Sequence, residues 1–224
     1  MVDVLFEDNH CLVVDKPAGL LSQGDETGDS SLVDWAKSYL KTKYAKPGEV
    51  YLGLIHRLDR PTSGVVLLAR TSKAAARLSE QFRTGAVEKV YVAVVEGRLE
   101  PDSGTWHDFL AKDRAANLVS TRSNAGEGTV EAVVDFLVVD REPSRTWVEL
   151  RPRTGRSHQL RVQLASRGLP IVGDRKYGAR TNATASDGGP RIALHARDLS
   201  FDHPTLRDRI TISAPVPFSR SIGR

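Results

Sequence analysis

Two apolar runs open the chain, Val2–Glu7 and Cys11–Asp15, parted by the turn formers Asp8 and Asn9 and closed by Lys16-Pro17-Ala18-Gly19; the pattern predicts a hairpin. Leu32, Trp35, Ala36, Tyr39 and Leu40 then recur at three- and four-residue intervals behind Ser30 and Ser31, either of which can cap a helix that Lys46-Pro47-Gly48 ends. Gly64–Arg70 is an unbroken apolar run, expected as a buried strand, and Ser72–Phe82 is alanine-rich with Leu78 and Phe82 four apart, expected as a helix. Val87–Glu96 alternates, with Val90, Val92 and Val94 on one face and Lys89, Tyr91 and Ala93 on the other, and Thr129–Val139 and Thr146–Leu150 are further strands. Pro101–Gly128 shows little periodicity and is expected to be a variable connection; Arg180–Pro190, rich in Gly, Ser, Thr and Asn, is expected to be an exposed loop. Strands outnumber helices without regular βαβ alternation, so the expected class is α+β with a large mixed or mostly antiparallel sheet. No linker is long enough to demand two independent domains.

Composition narrows this picture. At 224 residues and 40% hydrophobic content the chain can bury an ordinary globular core. Its longest apolar run, Gly64–Ala69, is far too short to span a membrane, and the first ten residues carry acids where a secretory leader needs basic residues and an apolar stretch; a cytoplasmic, monomeric protein is expected. A lone Cys11 excludes an internal disulfide and a multi-cysteine zinc site, and the six histidines lack HExxH spacing, so no metal is expected. Net charge is only +4, but residues 141–224 hold 16 Lys/Arg against 7 Asp/Glu, while residues 1–140 hold 16 against 21. Fifteen of the sixteen C-terminal basic residues are arginine, the side chain that forks onto phosphate; this third of the chain is the electrostatic footprint, and charge alone leaves open a solvated arginine-rich face or a nucleic-acid contact.

Two segments carry candidate chemistry. In Arg151–Gly168 the turn at Thr154-Gly155 is followed by a helix expected over Ser157–Arg167 with Ser157 as its cap. At 100° per residue, Leu160 at 0° puts Leu164 at 40° and Arg161 at 100°, inside the apolar face. A guanidinium cannot lose its proton to escape burial, so Arg161 needs a carboxylate partner, or else must snorkel to water. Asp59, in His56-Arg57-Leu58-Asp59 ahead of the turn Pro61-Thr62-Ser63-Gly64, is the natural candidate; by itself it could equally serve the turn by accepting from backbone amides. A kinase reading of His-Arg-Asp fails for want of a Gly-rich loop and Asp-Phe-Gly, a hydrolase reading for want of Gly-x-Ser-x-Gly, and no Walker or dinucleotide fingerprint is present, so no cofactor is expected.

The blocks "HRLDRPTSG", "EKVYVAVVEG", "TGRSHQLRVQ", "GLPIVGDRKYG" and "LHARDLSFDHP", together with the opening "LVVDKPAGLL", occur in an order that resembles the RluA family of pseudouridine synthases over nearly the whole chain. The resemblance implies one catalytic domain over residues 1–224, two lobes around a central cleft, without the small S4-type RNA-binding domain that many relatives carry at the N-terminus. It implies Asp59 as the catalytic aspartate, Tyr91 as the active-site tyrosine and Arg161 as the arginine that pairs with the aspartate. Arg57 then helps fill the space left by a flipped nucleotide, Arg156 and His158 lie in an RNA-facing motif, and Lys16 is a further candidate phosphate contact. The partner implied is structured RNA, ribosomal or transfer. A non-catalytic RNA-binding or RNA-folding module on the same scaffold, and a uracil-excising glycosylase, are the alternatives.

Overall fold

The computed structural model describes residues 2–183 and 191–218; the loop expected at Arg180–Pro190 falls, from residue 184 onward, outside them. In chain order the elements are β1 (Asp3–Glu7), β2 (Cys11–Lys16), α1 (Leu32–Lys43), β3 (Gly53–Leu54), β4 (Ser63–Ala69), α2 (Ser72–Thr84), β5 (Glu88–Glu96), β6 (Ser103–Asp113), β7 (Leu118–Arg122), β8 (Thr129–Glu142), β9 (Arg145–Pro152), α3 (Gln159–Ala165), a 3-10 turn (Arg175–Tyr177), β10 (Leu194–Asp202) and β11 (Arg209–Ser213). This is an α+β fold, and the strand pairs whose register is described are all antiparallel. The chain divides into two compact units, one of Met1–Glu88 with Ala196–Val216 and one of Lys89–His195 with Pro217–Arg224.

In the first unit the strand order is β1-β2-β4-β10, with β3 paired to β4 and β11 to β10. β4 is buried at every position, as its unbroken apolar run requires, and Val65, Leu67 and Ala69 join Cys11, Val13, Leu78, Leu199 and Phe201 in one core. Gly64 opens β4 at φ +119, and a Cβ there would stand 2.2 Å from the Ala196 carbonyl oxygen, so only glycine lets the strand begin where it does. α1 starts at a capping box: Ser31 accepts from the Asp34 amide, and Asp34 accepts from the Ser31 amide. α2 is capped by Thr71 and ends at Gly85 in the left-handed region.

The second unit orders its strands β5-β9-β8-β6-β7. In β5 the expected alternation does not leave one face open: Ala93 and Val95 are as buried as Val90 and Val94, because both faces of the strand are covered at its centre. Pro101–Gly128 contains β6 and β7 where a variable connection was expected. β6 pairs with β8 from Ser103 to Ala111, yet in β6 only Leu110 is fully buried, so the segment lacks the apolar alternation by which strands are found in sequence. β8 runs three residues beyond the expected Thr129–Val139, through a register irregularity between Val138 and Asp140. α3 is shorter than Ser157–Arg167, and Ser157 does not cap it. His158 holds the N-cap position at φ +53 with no side-chain cap bond, while Gln159 ties the turn by accepting from Thr154 Oγ1 and the Arg156 amide and donating to the Val133 carbonyl.

Candidate active site

Within the first unit, Asp59 sits in a loop strapped to the segment after β2 on both sides of the carboxylate. Leu58 exchanges two bonds with Ser22: the hydroxyl donates to the Leu58 carbonyl at 2.8 Å and accepts the Leu58 amide at 3.1 Å. Arg60 does the same with Gly19, its carbonyl accepting the Gly19 amide at 2.7 Å and its Nε donating to the Gly19 carbonyl at 3.0 Å. The Asp59 carbonyl closes the turn on the Thr62 amide at 3.0 Å. Upstream, His56 Nε2 accepts the Leu67 amide at 3.0 Å and its ring stacks on Phe82 at 4.7 Å, so this histidine is structural. The outcome is a half-buried carboxylate between two anchored backbone positions, with Leu58 pointing inward and Arg57 exposed.

Lys16 corrects an expectation. It is 0% exposed, and its ammonium donates to the carbonyls of Pro17 (3.1 Å), Leu20 (2.8 Å) and Arg60 (3.3 Å) instead of reaching an external phosphate. The last residue of a buried strand carries its side chain inward, and three carbonyls take up the three protons. Burial brings its pKa down to about 7, against the opposing pull of Asp59 and Asp15. The lysine of the Lys-Pro-Ala-Gly turn is therefore the post on which the Asp59 loop is hung.

Within the second unit, Tyr91 is half-buried on β5, opposite Leu150 of β9. Arg161 is 5% exposed, as the helix wheel requires, and its carboxylate partner in this unit is one the sequence did not single out: Asp174, itself 1% exposed, accepts Nε at 2.7 Å and Nη2 at 2.8 Å. Tyr177 lies beneath, its ring centroid 5.0 Å from Arg161 Cζ. Its hydroxyl meets His158 Nδ1 at 2.7 Å and accepts the Val119 amide at 3.1 Å. His158 is thus half-buried and engaged by its own unit, whereas Arg156 is exposed, with only Nε held, by the Glu131 carbonyl at 2.9 Å. Asp174 and Tyr177 both lie in "GLPIVGDRKYG"; the signal that could have found them was the demand of a buried guanidinium for an acid, which was weighed for Asp59 alone.

Among the described residues the one group with metal-ligand spacing is Asp8, Cys11 and His203. Its atoms are already committed: Asp8 Oδ1 accepts the His10 and Cys11 amides, Oδ2 meets His203 Nε2 at 2.7 Å, and His203 Nδ1 accepts the Leu206 amide. Burial pushes the Cys11 thiol up to about 12, away from the thiolate a metal needs. His203 is a clasp between two turns. No helix among the described residues is long and apolar enough to cross a membrane.

The first unit thus holds a half-buried carboxylate on a doubly anchored loop, and the second a buried arginine forked by an acid. The RNA pseudouridylate synthase family model matches residues 10–166, and the chain belongs to that family. It is 36% identical over 219 residues to the dual-specificity RNA pseudouridine synthase RluA of Haemophilus influenzae, covering 97% of this chain and 94% of that one. It is 35% identical over 219 residues to the uncharacterized RNA pseudouridine synthase YhcT of Bacillus subtilis, covering 96% and 69%. Among solved structures, human RNA pseudouridylate synthase domain containing 4 matches at a TM-score of 0.78 and 27% identity, over 96% of this chain and 88% of that one. The chain is accordingly an isomerase that converts uridine to pseudouridine in RNA.

Proposed function

We propose that this chain isomerises uridine in structured ribosomal or transfer RNA, with Asp59 as nucleophile, Tyr91 against the base and Arg161 as the cation of the reaction. The observation that carries the reading is the double strap at Leu58 and Arg60, which fixes the backbone on each side of Asp59 while the carboxylate stays half-exposed. The reaction breaks N1–C1′, turns the uracil and forms C5–C1′. N1 gains a proton, C5 loses one, and the product is an isomer, so neither redox equivalent nor metal enters the balance. Asp59 attacks C1′ of the ribose or C6 of the uracil; both routes need an ionised carboxylate and regenerate it. Tyr91 supports the base with its ring, and its hydroxyl takes part in removing the C5 proton.

A stacked uracil must first leave the helix, at a cost of a few kcal/mol, with Arg57 filling the space it vacates. The names of several relatives, ribosomal large subunit pseudouridine synthases, support ribosomal RNA within that substrate class, and the name of another, a dual-specificity RNA pseudouridine synthase, supports more than one target.

The test uses ribosomal and transfer RNA transcripts carrying C5-tritiated uridine. Asp59→Asn should abolish tritium release while RNA affinity stays within about threefold, because the amide fills the same space but is no nucleophile. Near-wild-type turnover would refute the assignment. Nucleoside digests separate the rivals: an isomerase yields pseudouridine of unchanged mass, a glycosylase yields free uracil, and a binding module yields neither. Tyr91→Phe should bind RNA normally and stall before tritium release; wild-type release would assign the ring alone a role.

A further inference from the structure

Arg161 is buried, and it has a carboxylate partner within its own unit. This partner, the buried Asp174, grips the Nε–Nη2 edge through two parallel bonds of 2.7 and 2.8 Å. Such a fork fixes the guanidinium plane and therefore the direction of the opposite edge. The face of the same plane lies over the Tyr177 ring, 5.0 Å from centroid to Cζ, and that ring is pinned by its hydroxyl to His158 and the Val119 amide. Asp174 is held in turn by its backbone: its amide donates to the Ile171 carbonyl, and its carbonyl accepts the Tyr177 and Ala179 amides. Gly173 before it, at φ +88, stands where a Cβ would be 2.5 Å from the Arg191 carbonyl oxygen. Edge and face of the cation are thus both fixed by residues of one short segment, Gly173–Tyr177.

We propose that Asp174 and Tyr177 are positioning residues for the isomerisation: Asp174 sets the plane and the net charge that Arg161 brings to the reaction, and Tyr177 sets its tilt. The proposal rests on the reading of Arg161 as the cation of the reaction. A purely structural ion pair would affect melting and leave turnover per folded molecule alone; a positioning pair lowers kcat at constant KM.

The experiment measures kcat and KM on C5-tritiated ribosomal and transfer RNA transcripts, with melting temperature recorded for each variant. Asp174→Asn should lose about a hundredfold in kcat with KM within threefold, the loss expected when a reacting group shifts by about 1 Å. Asp174→Asn combined with Arg161→Met should be no slower than Arg161→Met alone, since both act through one guanidinium. Tyr177→Leu should fall about tenfold in kcat, and Tyr177→Phe, which keeps the ring face but loses the hydroxyl that pins it to His158 and the Val119 amide, should fall by less than Tyr177→Leu. A folded Asp174→Asn protein with wild-type kcat, or losses that multiply in the double variant, would overturn the proposal. Should Asp174→Asn not fold, Arg161→Met with Asp174→Leu decides: recovery of the fold means Asp174 serves the buried cation, and failure means it serves the scaffold and the proposal falls. If Arg161→Met itself keeps wild-type turnover, the catalytic reading of Arg161 is what fails, irrespective of Asp174.

Discussion

Lys16 and Asp59 show how far single residues can be read from sequence. A carboxylate ahead of a Pro-Thr-Ser-Gly turn was visible as a candidate, and so was a lysine before a Pro-Ala-Gly turn, but whether each faces water is decided by strands far away in the chain. Lys16 ends a strand paired to β4, with Gly64 opposite it, and that register turns its side chain into the protein. Lys16→Met should strand the carbonyls of Pro17 and Leu20, while that of Arg60 keeps the Gly19 amide, and destabilise the fold by about 1–3 kcal/mol, the cost of leaving buried acceptors unpaired. Its folded pKa, about 7, lies below the ordinary 10.5, so between those values the unfolded chain holds one more proton and stability rises with pH. Lys16→Met should flatten that rise in denaturant titrations from pH 7 to 10. If the substitution instead weakens RNA binding and lowers its salt dependence, the lysine is a phosphate contact after all and the burial account is wrong.

At the scale of elements, periodicity found what has one buried face. α1, with its cap at Ser30 or Ser31, and α2 were legible because each presents a stripe to a core, and the β1–β2 hairpin because two short apolar runs flank turn formers. β6 and β7 were not, since a strand held by backbone pairing with few buried side chains leaves no stripe in the sequence. The cap of α3 was misread for a related reason: Ser157 has the right chemistry, but a left-handed His158 and the Gln159 side chain satisfy the turn first. Between elements, one buried acid does the joining that no local pattern shows. Glu7 of β1 loses solvation on burial but accepts from Lys43, Tyr44 and Tyr39 at the end of α1, and these bonds bring its pKa down to about 2. A carboxylate with a depressed folded pKa stabilises above its unfolded value, 4.5, and loses that contribution as pH falls toward 2. Glu7→Gln should therefore lower the melting temperature at pH 7 and shrink the gap between variant and wild type as pH drops from 4.5 to 2. A gap unchanged over that window would mean the cluster does not hold α1 to β1 through charge.

At the scale of the molecule, the arginine-rich C-terminal third is less of an electrostatic footprint than its sequence suggests, because acids from earlier in the chain fold onto it. Arg141 meets Glu100 and Asp102, Arg153 meets Asp135, Arg167 meets Asp108 and Arg209 meets Glu88. A count along the chain cannot show this, since every one of those acids lies outside residues 141–224. The useful distinction is between paired and unpaired surface arginines. Arg153 is exposed but gives Asp135 two charged bonds of 2.7 and 2.8 Å, and a phosphate would have to compete with that carboxylate. Arg156, three residues on, is exposed and has only a backbone carbonyl on its Nε. Each phosphate neutralised releases condensed counterions, so Arg156→Ala should reduce the slope of log affinity against log salt by about 0.7 to 0.9. Arg153→Ala should leave the slope nearly unchanged, and Arg161→Met should do the same, since its cation is committed to Asp174 inside the protein. The measurement is a filter-binding titration of a ribosomal RNA transcript from 50 to 300 mM salt. Equal slopes for Arg153→Ala and Arg156→Ala would mean that ion pairing on this surface does not govern which arginines meet RNA, and the contact face would have to be sought among other basic residues.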